Sequence, residues 1–414
     1  MEGQDGKEIL SCFITILAFP RQGGRDFTKG DLSLSEKVKI ERVRFAEVVV
    51  SEVTTWTFVE VYDEDGVVGL AELTCGGNTA EAVRLTGEFV GRLRGREIAG
   101  ELDVEGMLGF ALADMQGNMA LATAMSGLRS AVSELSARKQ GITLTEELGG
   151  TPQESILLYA NINRHLLTRD RSPASFWRAA EYAVSQGFGI VKCAPFDGVG
   201  PPSTREKILD EAGPGIERVA AVRAAVGPDV TVLVDCHSRF ERHTAPLVAE
   251  QLAKSNIGWF EEPVEPTEDA EGLAEIAGEV SMITAGGESG YGREFFGTIV
   301  ECGALNVVMP DVKHCGGLAE ARAAGLAAMA AGGDVSLHSP TGPVSLIGGG
   351  HATAAMPGAI HLEHAVYETD WRAEVVLPYE RVESGRLWMP EGVGLGAVLN
   401  SEIVERYGRY WNGD

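Results

Sequence analysis

Positive charge is what this sequence most lacks. Against 60 acidic residues it carries 35 Lys and Arg, a formal net charge of −25 at pH 7. So acidic a surface excludes nucleic acid and anionic membrane as partners. A small anion is still a possible substrate, because a bound cation and a few lysines can reverse the sign inside a pocket. Cysteine is sparse too. The six, Cys12, Cys75, Cys193, Cys236, Cys302 and Cys315, are scattered, with no CxxC pair and no zinc spacing. They read as free thiols in a reducing compartment. Long apolar runs are also missing. Ile9–Phe19 is broken by Ser11 and Thr15, and Glu2 and Asp5 precede it where a secretory leader carries positive charge. It reads as a strand or an ordered arm, and the expected location is the cytoplasm.

Glycine is plentiful, at 52 of 414 residues, and 44% of the chain is hydrophobic. That length exceeds one ordinary core and suits a barrel of about 250 residues with a smaller second module. From about Glu154, short apolar runs alternate with helix-like stretches. The runs are Ile156–Ile162, Gly189–Pro195, Val230–Cys236, Ile257–Val264, Met282–Gly286, Leu305–Pro310, Asp334–Ser339 and Ala359–His364. Helical patterns fall at Ser175–Gln186, Ile216–Val226, Leu247–Ser255, Glu268–Gly278 and Leu318–Ala331. Strands alternating with helices form parallel βαβ units, and eight such strands close a barrel. The first part reads differently. Lys39–Val50 and Trp56–Tyr62 look like antiparallel strands, Asp65-Gly66 signals a hairpin, and Ala80–Leu93 and Asn118–Lys139 look helical. The expected division is an arm at 1–37, an α+β capping domain at 38–150, the (β/α) barrel at 151–368, and a segment at 369–414 that packs back on the cap.

The chemistry lies at the strand ends. Lys192, Asp235, Glu261, Glu288, Asp311, His338 and Glu363 each end or follow one apolar run, and from Asp235 onward they recur at intervals of 26, 27, 23, 27 and 25 residues. Each interval is one βα unit, so all seven meet at the C-terminal mouth, where barrel enzymes place their active sites. Carboxylates buried together repel one another and resist ionisation. A hard divalent cation that prefers oxygen ligands resolves the conflict.

The ordered elements VKCAPF, LVDCH, WFEEPVEP, ITAGGES, VVMPDVKHCGGL, SLHSPTGPVS and HLEHA resemble the enolase superfamily, and within it the mandelate racemase-like subgroup. The likeness covers roughly residues 39–400, and its specificity lies in the combination rather than in any one piece. It implies an α/β fold, a modified TIM (β/α) barrel with an N-terminal α+β capping domain completed by C-terminal residues. It also implies one Mg²⁺ per subunit on Asp235, Glu261 and Glu288, a homo-oligomer, and a shared first step, removal of the proton α to a carboxylate. That proton is very weakly acidic, because its loss places a second negative charge beside the first, and a dication stabilises that charge.

The base and the reaction follow from particular residues. His338 and Asp311 match the family's base dyad, in which the carboxylate fixes the tautomer of the imidazole. Lys192 corresponds to the lysine that touches the substrate carboxylate. Many racemases carry a second lysine two residues later, on the same face of the strand. Here that residue is Ala194, which moves no proton. His237 resembles the imidazole that protonates the departing β-hydroxyl in acid-sugar dehydratases. Glu363 resembles the last-strand carboxylate, with Glu368 as the alternative register. Lys313 is a candidate to face substrate or to make an outer salt bridge. Glu262 reads as an orienting group, and Arg239 is a candidate to bind a distal hydroxyl or carboxylate, with a solvated surface residue the better reading. The expected activity is Mg²⁺-dependent dehydration of a sugar acid or related hydroxy acid, and the alternative is a racemase or epimerase. The segment Ser51–Thr55 is short, so either the arm at 1–37 forms part of the lid or the mouth is more open than usual, and Cys75–Thr79 reads as the other lid loop.

Overall fold

The computed structural model describes residues 37–167 and 169–413. The expected arm at 1–37 therefore lies outside the described residues, apart from Lys37.

The described residues start with an antiparallel sheet. Strands β1 (Val38–Val49), β2 (Thr55–Asp63) and β3 (Val68–Glu72) follow one another, joined between β2 and β3 by the turn that Asp65-Gly66 signals. The C-terminal strand Gly408–Asn412 returns to pair with the other edge of β1, Phe45 opposite Trp411, so the first and last described strands share one sheet. The helix Met119–Gln140 lies across this sheet, and it is buried along nearly its whole length. Contact is closest at Gly69, where a Cβ would stand 2.1 Å from the Ala131 carbonyl oxygen. Any side chain there would push helix and strand apart.

After the short strand β4 (Glu97–Ile98), eight parallel strands form the barrel. They are β5 (Ser155–Asn161), β6 (Ile190–Cys193), β7 (Thr231–Asp235), β8 (Trp259–Glu261), β9 (Ile283–Gly286), β10 (Val307–Val308), β11 (Asp334–Leu337) and β12 (His361–Ala365). Pairing of β12 with β5, Leu362 opposite Leu158, closes the ring. Successive strand residues face opposite ways. Tyr159, Leu233, Trp259, Ala285, Val307 and Met309 accordingly pack together as one small cluster inside the barrel, while the alternate residues join the larger core under the helices. The hairpin Arg381–Glu383 and Arg386–Trp388 pairs antiparallel with the N-terminal part of β5, Leu387 opposite Ile156.

All eight apolar runs become barrel strands; the first is shifted by one residue and the other seven are shorter than their runs. The helix expected at Ile216–Val226 starts earlier, at Ile208, with Pro214 inside it. Two helices lie outside the expected helical patterns. Pro343–Ala354 is buried at every position and carries three consecutive glycines, so it has no polar face to set a period. The other, Arg293–Glu301, buries one face through Phe296 and Ile299 but runs for only nine residues. Among the described residues no helix is long and apolar enough to cross a membrane.

The cap is locked to the barrel through two helix N-termini. Glu72, at the end of β3, accepts from the backbone N–H groups of Gly342 (2.8 Å) and Ser345 (3.0 Å), at the start of helix Pro343–Ala354. Glu101 accepts from Ala319 N–H at 3.0 Å, at the start of helix Leu318–Ala330. A carboxylate satisfies the free N–H groups there and complements the positive end of the helix dipole. Beside Glu101, the fully buried Arg129 on the long capping helix pairs with Glu101 (3.6 Å), Glu105 (2.6 Å) and the barrel's Glu320 (3.2 Å).

Candidate active site

The strand ends assemble an ionic network at the C-terminal mouth. Lys192, from β6, is buried to 1% exposure over the ring of Tyr159. It donates to Glu261 Oε1 at 2.6 Å and pairs with Glu363 Oε1 at 3.0 Å. Asn161, ending β5, donates to the same Glu363 oxygen at 2.6 Å, and Ser339 N–H donates to Glu363 Oε2 at 3.0 Å. Trp259 Nε1 donates to Glu261 Oε2 at 3.0 Å. Burial disfavours charge on Lys192, but Glu261 and Glu363 outweigh it and hold the ammonium well above its usual range. Burial pushes the Glu261 carboxyl up to about 8, with Lys192 opposing and Asp235 and Glu363 adding to the rise.

The second half of the network centres on Asp311. His338 Nδ1 lies 2.7 Å from Asp311 Oδ2, and Lys313 Nζ donates to the same oxygen at 2.6 Å. The other edge of His338 faces carboxylates, with Nε2 2.8 Å from Glu288 Oε2 and 3.6 Å from Glu363 Oε2. Burial works to lower the imidazole pKa, but Glu288 and Glu363 raise it well above the ordinary range. In return His338 outweighs the effect of burial on Glu288 and holds that carboxyl down at about 2. Burial would raise the Asp311 carboxyl, yet Lys313 and the histidines around it hold it far below the usual carboxylate range.

His237 stands on the opposite side. Its Nε2 is 2.8 Å from Asp235 Oδ2, its backbone N–H donates to Asp235 Oδ1 at 2.8 Å, and Asp197 Oδ1 lies 3.8 Å from Nδ1. The Asp235 carboxylate raises its pKa above the usual histidine range. The backbone turns sharply after both strand-end acids, with positive φ at His237 (47°), Ser238 (55°) and Glu262 (39°). Such conformations cost free energy in residues with a Cβ and persist where the surroundings fix them. Glu262 is fixed by accepting from the N–H groups of Gly287 (2.7 Å) and Glu288 (3.2 Å). It thereby orients the loop that carries Glu288. Glycine at 286 makes room, since a Cβ there would stand 2.6 Å from Glu262 Cγ.

A cavity of about 860 Å³ lies between barrel and cap. Glu288, Lys313, His314 and His338 form its barrel wall, and its cap side includes Thr54, Thr57, Thr74 and Cys75. A family model described as enolase C-terminal domain-like matches residues 176–403, the stretch from the helix before β6 to the C-terminal segment. The chain belongs to the enolase superfamily. A D-xylonate dehydratase of Haloferax volcanii is 26% identical over 405 residues, covering 92% of this chain and 94% of that protein. A D-gluconate dehydratase of Thermoproteus tenax is 31% identical over 288 residues, covering 69% of this chain and 56% of its own length. The crystal structure of an enolase-superfamily member from Salmonella Typhimurium superposes with a TM-score of 0.81 at 24% identity, over 91% of this chain and 99% of that one.

The superfamily implies a divalent metal, and the donor set suits one. Asp235, Glu261 and Glu288 come from three consecutive strands of the mouth and are all hard oxygen donors. Their charge is also in excess, since Asp235 and Glu363 add to the rise of the Glu261 carboxyl. In this structure each is turned to a side chain of the protein instead, Asp235 to His237, Glu261 to Lys192 and Glu288 to His338. Among the described residues no three acidic, histidine or cysteine side chains converge on one point as a ligand set.

Of the alternatives left open by the sequence, Glu363 rather than Glu368 sits in the network, because β12 runs on to Ala365 and carries Glu363 inside the ring. Lys313 makes its ion pair inside the cavity wall, not on the outer surface. Arg239 departs from the expected solvated residue. It is half-buried, and its Nε is shielded without a hydrogen-bond partner among the described residues. Asn161, Ser339 and Asp197 carry no signal of strand-end charge in the sequence, since Asn and Ser bear no charge and Asp197 lies beyond the end of β6.

Proposed function

We propose that this protein is a Mg²⁺-dependent dehydratase of sugar acids or related hydroxy acids. The observation that carries the reading is the pair of imidazoles at the mouth. His338 is set against Asp311 at 2.7 Å, and His237 is set against Asp235 at 2.8 Å. The buried Ala194 stands where a racemase needs its second base.

Asp311 accepts the Nδ1 proton of His338 and so directs Nε2 at the substrate, where it takes the α-proton. Lys192, with Glu363 and Asn161, holds the substrate carboxylate. Bound by Asp235, Glu261 and Glu288, a divalent cation would supply the positive charge that stabilises the second negative charge developing on that carboxylate, and would relieve His338 of Glu288. His237 gives its proton to the β-hydroxyl as the C–O bond breaks. Hydroxide is a poor leaving group, so elimination needs that donor. Water leaves, and the enol becomes a 2-keto acid. The names of the relatives support the same reading, as both are called dehydratases of sugar acids.

The test is a screen of mono- and dicarboxylic sugar acids with Mg²⁺, read as 2-keto product. Turnover of one or a few supports the reading. A complete lack of keto product, with epimers appearing instead, overturns it.

A further inference from the structure

The cavity carries unsatisfied polar groups besides the charged residues of the barrel mouth. Thr54 Oγ1 and Thr341 Oγ1 are both buried and lack any hydrogen-bond partner among the described residues, and both residues line the cavity. A buried hydroxyl without a partner is costly and is normally avoided. Both are held by their backbones. Thr54 closes the β1–β2 connection, its carbonyl accepting from Val50 and Ser51 N–H at 3.0 and 3.1 Å. The Thr341 carbonyl accepts from Arg372 at 2.5 Å, and the next residue, Gly342, is tied to Glu72. Arg164, just past β5, lines the same cavity, and among the described residues its guanidinium has neither an ion pair nor a hydrogen bond. The other cations of the wall are engaged, Lys313 with Asp311 and Arg409 with Glu47 at 2.8 Å.

We infer that Thr54, Thr341 and Arg164 form a distal subsite, in which the two hydroxyls bind the hydroxyls of a polyhydroxylated chain and Arg164 binds a second anionic group at its far end. The inference rests on the proposed dehydratase reading for its near end. Two threonines and one arginine match a substrate that is uncharged and hydroxylated in the middle and anionic at both ends. The planar guanidinium accommodates a carboxylate or a phosphate through paired N–H donors. The two sources differ in charge and bulk, so binding separates them.

The experiment is calorimetric binding in Mg²⁺ buffer of matched acids, gluconate against glucarate and galactonate against galactarate, with 6-phosphogluconate as the phosphate arm. The wild type is expected to bind one class of doubly anionic acid about tenfold or more tightly than its monoacid, the scale of one hydrogen bond to a charged group. Arg164→Gln is expected to erase that ratio and Arg164→Lys to restore part of it. Thr54→Val and Thr341→Val are expected to weaken monoacid and diacid alike while keeping the ratio. Equal binding of singly and doubly anionic acids by the wild type, no binding of any acid, or an unchanged ratio in Arg164→Gln would each overturn the subsite. Preference for the doubly anionic acid without keto product would leave the subsite standing and remove the dehydratase reading. Keto product from monoacids alone, with no such preference, would do the reverse.

Discussion

At the level of single residues, the proposed reaction divides its chemistry between the two histidines. His338→Asn is expected to abolish exchange of the α-proton with solvent, with turnover falling by about 10²–10⁴-fold. His237→Asn is expected to keep that exchange and lose elimination. Deuterium exchange followed by NMR, beside an assay for keto product, separates the two steps. A His237→Asn enzyme that dehydrates at the wild-type rate would remove His237 as the acid. His338 was legible because it belongs to the array of strand-end residues, and His237 because it follows Asp235 in a stretch that resembles the acid-sugar dehydratases. Their partners were only half legible. Asp311 shares the array, but the sharing of its Oδ2 by His338 and Lys313 depends on rotamers that no spacing encodes. The left-handed turn at His237 is equally invisible in a sequence, because the residue is neither Gly nor Asn.

At the level of elements, the barrel could be read because eight strands leave eight apolar runs, and the cap because Asp65-Gly66 and the alternation around it mark a hairpin. Helix Pro343–Ala354 could not be read, since burial on every side removes the contrast that gives a helix its period. How cap and barrel meet was also hidden, because it depends on residues far apart in the chain. Arg129 and its three glutamates are the clearest case. Replacing Arg129 by Met removes the cation from between buried carboxylates, which is expected to cost about 3–5 kcal/mol, measured by denaturant unfolding. A loss below about 1 kcal/mol would mean the network is not what joins the modules. Glu72→Gln keeps the shape and removes the charge at a helix N-terminus. The expected loss is about 1 kcal/mol, with weaker substrate binding because Thr341 is held through the same loop.

For the molecule as a whole, pH should act on stability through buried histidines. His351 lies between Thr145 Oγ1 (2.8 Å) and the Leu395 carbonyl (3.2 Å), which joins the barrel to both neighbouring segments, and burial lowers its pKa from 6.5 to about 4. Between those values the unfolded chain binds the extra proton and the folded one does not, so stability falls as pH drops from about 6.5 to about 4. Nearby Glu134, pushed up to about 7 by burial, works in the opposite direction, so the comparison is with His351→Gln. The stability difference between wild type and variant should shrink across that window as pH falls. A constant difference would place the charge change elsewhere.

The proposed reaction, in which His338 serves one face of the substrate and His237 the leaving group, makes a single prediction about hydrogen. A sugar acid that turns over, incubated in D₂O with Mg²⁺ and followed by proton NMR, should give a 2-keto-3-deoxy acid with a solvent deuteron at C3, and the same reaction with excess EDTA should give none. Starting acid or its epimer labelled with deuterium at C2, with no keto product, would contradict the account.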